Sequence, residues 1–343
     1  FIPLISGIWS EDRSEWMDML RVKLPLLLFP IAFAGRWQIS TQQWKFIAIL
    51  LLFLLAITTT ISFVQYAIDY AAVHSGYLRA KVMDTAFKND HIRFSLLVSI
   101  CILLCFWLIE HGYKAVRIVA AVMAFWLAIF LHILAARTGL LCFYAILFLF
   151  LIRIVLLKKT RFLFPLLGIM LLLPILAYSF LPTFQNRIKY LLYDHSFIDT
   201  GNYLPGSNDG NRVLSLSAGW HILKDNPGGV GAGDIKQSAD QWYYENVPGM
   251  LDSDKLYPSS EWLMHGAMAG WAGVLLFTII MLLPFFMRNI AHGFYWKTLH
   301  LVIILSLLFD TGLGMQIGVF LYSFFVLCFW KWARDREVLA DRF

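Results

Sequence analysis

The sequence has little charge: Asp, Glu, Lys and Arg make up 15% of its 343 residues, against about 25% in an average soluble domain. This shortage excludes an intrinsically disordered chain, which needs high charge and low hydrophobicity. Four cysteines exclude a disulfide-rich secreted domain, and 22 glycines exclude a collagen-like repeat. Apolar residues instead reach 59% and mean hydropathy is +0.68. This composition is typical of a polytopic membrane protein.

The apolar residues lie in runs close to the length of about 20 residues that crosses a bilayer as a helix. Nine full spans are predicted, at 19–35, 44–64, 94–109, 115–135, 139–157, 162–181, 262–287, 295–309 and 314–330. A further apolar run at 1–9 is interpreted as the tail of a helix that begins upstream of Phe1. The predicted fold is therefore an all-α polytopic membrane protein with about nine to ten transmembrane helices and a helical cap outside the membrane.

The net charge of +6 is distributed asymmetrically between the two sides that these spans define. One set of loops holds 14 of the 28 Lys and Arg residues with four acids, and the other holds 14 with 18 acids. The positive-inside rule makes the first set cytoplasmic. The C-terminus is then cytoplasmic and the charge is no evidence for nucleic-acid binding. Three parts are predicted: helices in 1–181 with an outer loop at 65–93, a large outward loop at 182–261, and helices with a cytoplasmic tail in 262–343.

Arg137 lies in a tight Ala-Ala-Arg-Thr-Gly turn between two predicted spans, on the outward side. An arginine at a helix end often only extends its head group to the membrane surface. However, this is the only cation in its turn, on the side that disfavours cations, and its neighbours are small. Because a planar guanidinium binds phosphate oxygens in a bidentate manner, Arg137 is a candidate ligand for a diphosphate.

A second stretch in the outward loop begins at Arg212, which opens an amphipathic helix of about 13 residues that stops at Asn226 and Pro227. Spaced glycines follow and allow close approach of the backbone. A plain turn would use similar residues, but the helix, the Asn-Pro pair and the glycines together are a more specific pattern. The residues of interest here are Arg212, Pro227, Gly229, Gly231 and Gly233.

A third stretch, 257–273, leads from the outward loop into a span. Glu261 and His265 are spaced i, i+4, so a carboxylate could orient an imidazole as a general base. The alternative is a polar pair on the helix surface. Gly270 and Gly273 belong to a small-residue face that suits close helix packing.

Together, these three stretches resemble the O-antigen ligase and polymerase family of bacterial envelope glycosyltransferases. The family's ligase motif is His, then Asn, Ser or Gln, nine residues, Gly, two residues and Gly. Ser260, Gly270 and Gly273 are in register with it, whereas Ser259 stands at the position of the histidine. A serine is no base at neutral pH. Three explanations remain open: Glu261 or His265 replaces the histidine, the chain is polymerase-like, or it is inactive.

The resemblance implies a glycan donor linked to undecaprenyl diphosphate, with the diphosphate held by Arg137 and Arg212. The acceptor hydroxyl would belong to lipid A core or a similar molecule in a ligase, and to a growing glycan in a polymerase. The reaction would invert the anomeric carbon at the periplasmic face of the bacterial inner membrane, with membrane lipids as partners and no nucleic acid. No metal or other cofactor is expected, and Asp252 and Asp254 are interpreted as loop polarity. Four loop aromatics are candidates for stacking on sugar rings or on the interface region of the lipid: Trp220, Trp242, Tyr243 and Tyr244.

Two other functional classes compete with this one. A transporter should carry ionisable residues in mid-span, and the main candidates are His132 and Arg153. A non-catalytic membrane partner of a larger assembly is favoured slightly by the missing motif histidine.

Overall fold

The computed structural model describes residues 2–78, 81–88, 90–199, 203–287 and 293–340, with the backbone alone for 196–199 and 335–340. Helices form most of these ranges, and no β-strand occurs within them. The predicted all-α class is confirmed. The helices are α1 (Ile2–Ser6), α2 (Arg13–Lys23), α3 (Pro25–Ala34), α4 (Thr41–Ile68), α5 (Tyr70–Tyr77), α6 (His91–His111), α7 (Lys114–Leu134), α8 (Arg137–Leu156), α9 (Leu163–Phe180), α10 (Pro182–Asp199), α11 (Asn208–Asp225), α12 (Ile235–Asn246), α13 (Glu261–Leu282), α14 (Phe294–Leu308) and α15 (Gln316–Ala340).

Seven helical segments in the described part of the chain are long and apolar enough to cross a membrane. They are Thr41–Ile68, His91–His111, Lys114–Leu134, Arg137–Leu156, Thr160–Phe180, Glu261–Phe285 and Gln316–Arg334. The protein is therefore a multi-pass membrane protein. Each segment coincides with one of the nine predicted spans.

The other two predicted spans form shorter helices. The run 19–35 is divided between α2 and α3, because Pro25 has no backbone N–H to donate and starts a new helix. The run 295–309 forms α14, which has 15 residues and a length of about 22 Å, less than the roughly 30 Å of a bilayer core.

The chain folds into two compact units. The first unit combines Phe1–Gln38 with Tyr193–Phe343, and the second unit is Ile39–Leu192. This division is based on which segments pack together. The predicted division into 1–181, 182–261 and 262–343 is based instead on the side of the membrane on which each segment is expected to lie, and it stays a prediction.

The core of the second unit is α6, which packs against α7 and α8 and is buried over most of its length. Gly139 in the first turn of α8 lies so close to Ser95 of α6 that a Cβ atom there would overlap the serine side chain. One turn further along α6, the Ser99 hydroxyl donates to the Gly139 carbonyl at 2.8 Å. The small residue at 139 thus brings the start of α8 directly against α6.

The core of the first unit lies where α11 and α12 meet the first half of α13. Small residues such as Ala218 and Ala267 are fully buried there and allow the helices to approach closely. The larger members of this core are Ile222, Ile235, Tyr243, Val247, Met250, Met264 and Met268. The core therefore joins the segment predicted as an outer cap to a candidate membrane helix.

Candidate functional site

The glycine-rich loop between α11 and α12 packs against a break in α13. Ala269 and Gly270 have non-helical backbone angles, and Gly270 has φ +63°. Val230 N–H donates to the Ala267 carbonyl at 2.8 Å, and Trp271 N–H donates to the Pro227 carbonyl at 3.1 Å. The loop therefore satisfies backbone groups on both sides of the break, which a helix end otherwise leaves without partners.

Glycines of this loop and of the break in α13 are required by close contacts. A Cβ atom on Gly229 would lie 2.5 Å from the backbone nitrogen of Ala269, and one on Gly270 would overlap the Pro227 carbonyl oxygen. Gly273, one turn into the second half of α13, faces the His265 carbonyl oxygen in the same way. A side chain at 229 or 270 would force the loop and α13 apart, and a side chain at 273 would force the two halves of α13 apart.

The same loop contacts the segment that precedes α2. The side-chain oxygens of Asp234 accept from the backbone N–H groups of Glu11 and Asp12, each at 2.8 Å. Gly233 N–H donates to the Ser10 hydroxyl at 3.0 Å. On Gly231, a Cβ atom would lie 2.5 Å from the Ser10 hydroxyl. The loop thus holds α2 and α13 in a fixed arrangement within the first unit.

A buried cluster of three ionisable side chains lies where α2 and α13 meet. Lys23 Nζ is 3.6 Å from Oε2 of Glu261, and His265 Nδ1 is 3.5 Å from the same oxygen. The other carboxylate oxygen of Glu261 accepts from Leu313 N–H at 2.7 Å. Glu261 is 0% and His265 6% exposed, so the alternative of a polar pair on the helix surface is wrong.

The imidazole of His265 is fixed in orientation. Its Nδ1 lies 2.8 Å from the Glu261 backbone carbonyl oxygen, which can only accept, so Nδ1 carries the proton. The ring stacks on Phe277, with centroids 4.1 Å apart. Nε2 is then the basic nitrogen, and among the described residues no hydrogen bond engages it.

Ser259, at the position of the motif histidine, lies against α11. Its hydroxyl oxygen is 2.7 Å from that of Ser215, which also accepts weakly from Ser259 N–H at 3.3 Å. Arg212 lies one turn earlier on α11 and is half-buried, with Nη1 donating to the Phe309 carbonyl at 3.4 Å. The family-motif position and Arg212 therefore belong to the same part of the first unit.

Arg137 is the first residue of α8 and belongs to the second unit, so the two candidate arginines lie in different units. Its side chain is half-buried. The turn before it consists of Ala135, in the left-handed region at φ 49°, and the extended Ala136. A well-defined backbone turn therefore determines the position of Arg137 at the start of α8.

The four loop aromatics differ in burial, and Trp242 is partly buried. Tyr243 is fully buried, and its hydroxyl donates to the Leu256 carbonyl at 3.0 Å, so the prediction that it stacks on sugars is wrong. Its position in α12 places it in the core of the first unit, which the sequence did not reveal. Trp220 is half-exposed, with its ring edge-to-face against Trp271, and Tyr244 is 81% exposed.

The residues considered for a transporter have internal partners. His132 Nε2 lies 2.7 Å from the Tyr144 hydroxyl, and Arg153 forms an ion pair with Glu110 at 2.7 Å.

Asp254, one of the two carboxylates interpreted as loop polarity, accepts hydrogen bonds from the Tyr203 hydroxyl and the Gly206 N–H. In the described ranges, no group of three or more His, Cys, Asp or Glu side chains could hold a metal ion.

Lys23 is the site residue that the sequence analysis missed. A lysine inside the predicted span 19–35 was itself a signal, because ionisable residues in such runs are usually functional or paired. Its partner could not have been found from spacing, since Glu261 is far away in the sequence.

Residues 120–278 match the family model described as O-antigen ligase. This segment is therefore similar to the O-antigen ligase domain family. It includes Arg137, Arg212, Glu261 and His265, and the predicted resemblance is confirmed over that range. No curated protein and no solved structure matches the chain significantly. The family match supports a general function of the ligase or polymerase type, that is, glycan transfer.

Proposed function

We propose that this protein transfers a glycan from an undecaprenyl-diphosphate carrier to an acceptor hydroxyl at the periplasmic face of the bacterial inner membrane. The observation that carries the proposal is the match of residues 120–278 to the O-antigen ligase family model, a range that contains Arg137, Arg212 and the buried Glu261–His265 pair. Lipid A core or a similar molecule is the acceptor in the ligase form of the proposal.

In this mechanism, Arg137 and Arg212 bind the diphosphate. Negative charge develops on the diphosphate as the bond to the anomeric carbon breaks, and fixed guanidinium groups stabilise that charge. The chain itself supplies these positive charges, so the proposal needs no metal. The diphosphate leaves with the electron pair of the broken bond.

His265 is the proposed base. With Nδ1 donating to a carbonyl, Nε2 takes the proton from the acceptor hydroxyl, whose oxygen attacks the anomeric carbon from the face opposite the diphosphate. This attack inverts the anomeric carbon. Glu261 is less suited to that task, because Lys23 and Leu313 already engage its two oxygens. Its carboxylate stabilises the imidazolium that forms 3.5 Å away.

Ser259 favours a second candidate, a polymerase that adds repeat units to a growing glycan. The ligase motif has its histidine there, and in this chain the position holds a hydroxyl against Ser215. Deletion of the gene distinguishes the two. Loss of a ligase leaves lipid-linked polymer that is not attached to its acceptor, whereas loss of a polymerase leaves single repeat units.

The experiment is glycan transfer by the purified full chain in liposomes that contain a lipid-linked glycan donor. We expect Arg137→Ala, Arg212→Ala and His265→Gln each to lower the rate by at least about 100-fold, the usual contribution of such groups. Arg21→Ala is the matched control, because Arg21 is a mostly exposed arginine that forms an ion pair with Asp18 on its own helix. Full activity of either arginine variant contradicts the diphosphate role. Full activity of His265→Gln contradicts its role as base.

A further inference from the structure

Tyr77 makes an unusual contact with the end of α7. It is the last residue of α5 and is fully buried. Its hydroxyl oxygen lies 3.2 Å from the Ile133 carbonyl oxygen and 3.0 Å from that of Leu134, and it accepts from Met83 N–H at 3.4 Å. The one phenolic proton is therefore shared between two consecutive carbonyl groups of α7.

These carbonyls belong to the last turn of α7, where a helix leaves its C=O groups without intrahelical partners. The next residue, Ala135, adopts the left-handed conformation that disfavours any residue with a Cβ atom. Such a conformation persists when the surrounding contacts hold it. Arg137 follows two residues later as the first residue of α8.

The first turn of α8 is also held by a contact on the other side of Arg137. Ser99 of α6 donates to the Gly139 carbonyl, two residues beyond Arg137. Tyr77 fixes the backbone before Arg137, and Ser99 fixes it after. All of these residues belong to the second unit.

We propose that Tyr77 is a positioning residue that sets the direction in which Arg137 presents its guanidinium group. This inference rests on the proposed role of Arg137 in binding the diphosphate. Tyr77 itself touches no substrate. It acts by fixing the turn between α7 and α8, so its loss weakens diphosphate binding only where Arg137 is present.

The test is a double-mutant cycle on the dissociation constant for undecaprenyl diphosphate, measured with the full chain in detergent micelles. We expect Tyr77→Phe to raise this constant about fivefold, which corresponds to the loss of one neutral hydrogen bond. In the Arg137→Ala background, the same substitution should leave the constant unchanged. In transfer assays, Tyr77→Phe should raise KM for the donor while kcat at saturation stays near that of the wild type.

Tyr243→Phe is the matched control, since it also removes a buried tyrosine hydroxyl from a backbone carbonyl, in the other unit. It should lower the melting temperature to a similar extent without altering diphosphate affinity. If Tyr77→Phe does not give folded protein, the cycle is run with Tyr77→Leu, which also lacks the hydrogen-bond donor, and the same outcomes are expected.

The outcomes distinguish failure of the positioning role of Tyr77 from failure of the diphosphate role of Arg137. Equal weakening by Tyr77→Phe with and without Arg137 overturns the positioning role, and so does an unchanged dissociation constant in a folded Tyr77→Phe protein. If Arg137→Ala alone binds the diphosphate as tightly as the wild type, the proposed function fails first, and the inference fails with it.

Discussion

The ammonium nitrogen of Lys23 lies 3.6 Å from a carboxylate oxygen of Glu261, and both side chains are buried, at 1% and 0% exposure. Removing two charges from water is costly, and an ion pair compensates for this cost only when other contacts complete it. Here the second carboxylate oxygen accepts from Leu313 N–H. Glu261 therefore joins α2, α13 and the turn before α15 in one polar contact.

The first prediction concerns this pair. Lys23→Met leaves a carboxylate buried without its counter-charge, and Glu261→Gln leaves an ammonium in the same state. Each single substitution should lower the free energy of unfolding by about 3–5 kcal/mol, because an uncompensated buried charge remains. The double substitution should recover most of that loss. The melting temperature of the purified protein in detergent measures all three.

Arg21→Ala serves as the control for this series, since it removes an exposed charge from the same helix. We expect it to change stability by less than about 1 kcal/mol. Losses in the two single variants that simply add in the double variant would show that Lys23 and Glu261 do not act as a pair.

Much of the candidate site could be predicted from local spacing. Glu261 and His265 are one helical turn apart, so their proximity follows from the geometry of any helix through 261–265. The end of α11 at Asp225 follows from Asn226 and Pro227, since proline disfavours helical geometry in the residue before it.

The rest depends on contacts between distant segments. Lys23 meets Glu261 only because the glycine-rich loop holds Ser10 and Asp12 on one side and α13 on the other. No periodicity encodes that arrangement. Similarly, the burial of Tyr243 depends on the packing of α12 against α13, which an aromatic residue in a polar loop does not reveal.

The second prediction concerns the break in α13. Gly270 has φ +63°, and an added Cβ atom would overlap the Pro227 carbonyl oxygen. Gly270→Ala should lower the free energy of unfolding by more than about 2 kcal/mol, because both the backbone and the loop would have to move. Gly168→Ala is the control, since a Cβ atom there meets nothing within 4 Å. Equal melting temperatures for the two variants would contradict the required close contact.

The third prediction concerns the contact between the loop and the start of α2. Asp234 accepts from two backbone N–H groups, Glu11 and Asp12, with its two oxygens. Asn has only one acceptor oxygen, so Asp234→Asn leaves one N–H facing an amide NH₂ group. We expect a loss of about 2 kcal/mol in the free energy of unfolding. Protection of the Glu11 and Asp12 amides from hydrogen exchange should fall with it.

Asp225→Asn controls for the loss of one carboxylate, because Asp225 is exposed at the end of α11. Its melting temperature and its exchange protection at residues 11 and 12 should match the wild type. Unchanged protection in Asp234→Asn would mean that other contacts hold the segment before α2.

The fourth prediction concerns the pH dependence of stability at Asp254, in the loop between α12 and α13. Partial burial raises the pKa of this carboxyl group, but hydrogen bonds from Gly206 N–H, Tyr203, Asn211 and Ser253 outweigh burial and hold the pKa below its usual value. The folded protein therefore binds this proton less readily than the unfolded chain. The resulting stabilisation is complete above the unfolded pKa of about 3.9 and is lost as the pH falls through the lower folded value. Asp254→Asn should melt below the wild type at pH 6, and the difference should shrink as the pH is lowered toward 3. A difference that stays constant over this range would show that the ionised carboxylate contributes nothing to the stability of the loop.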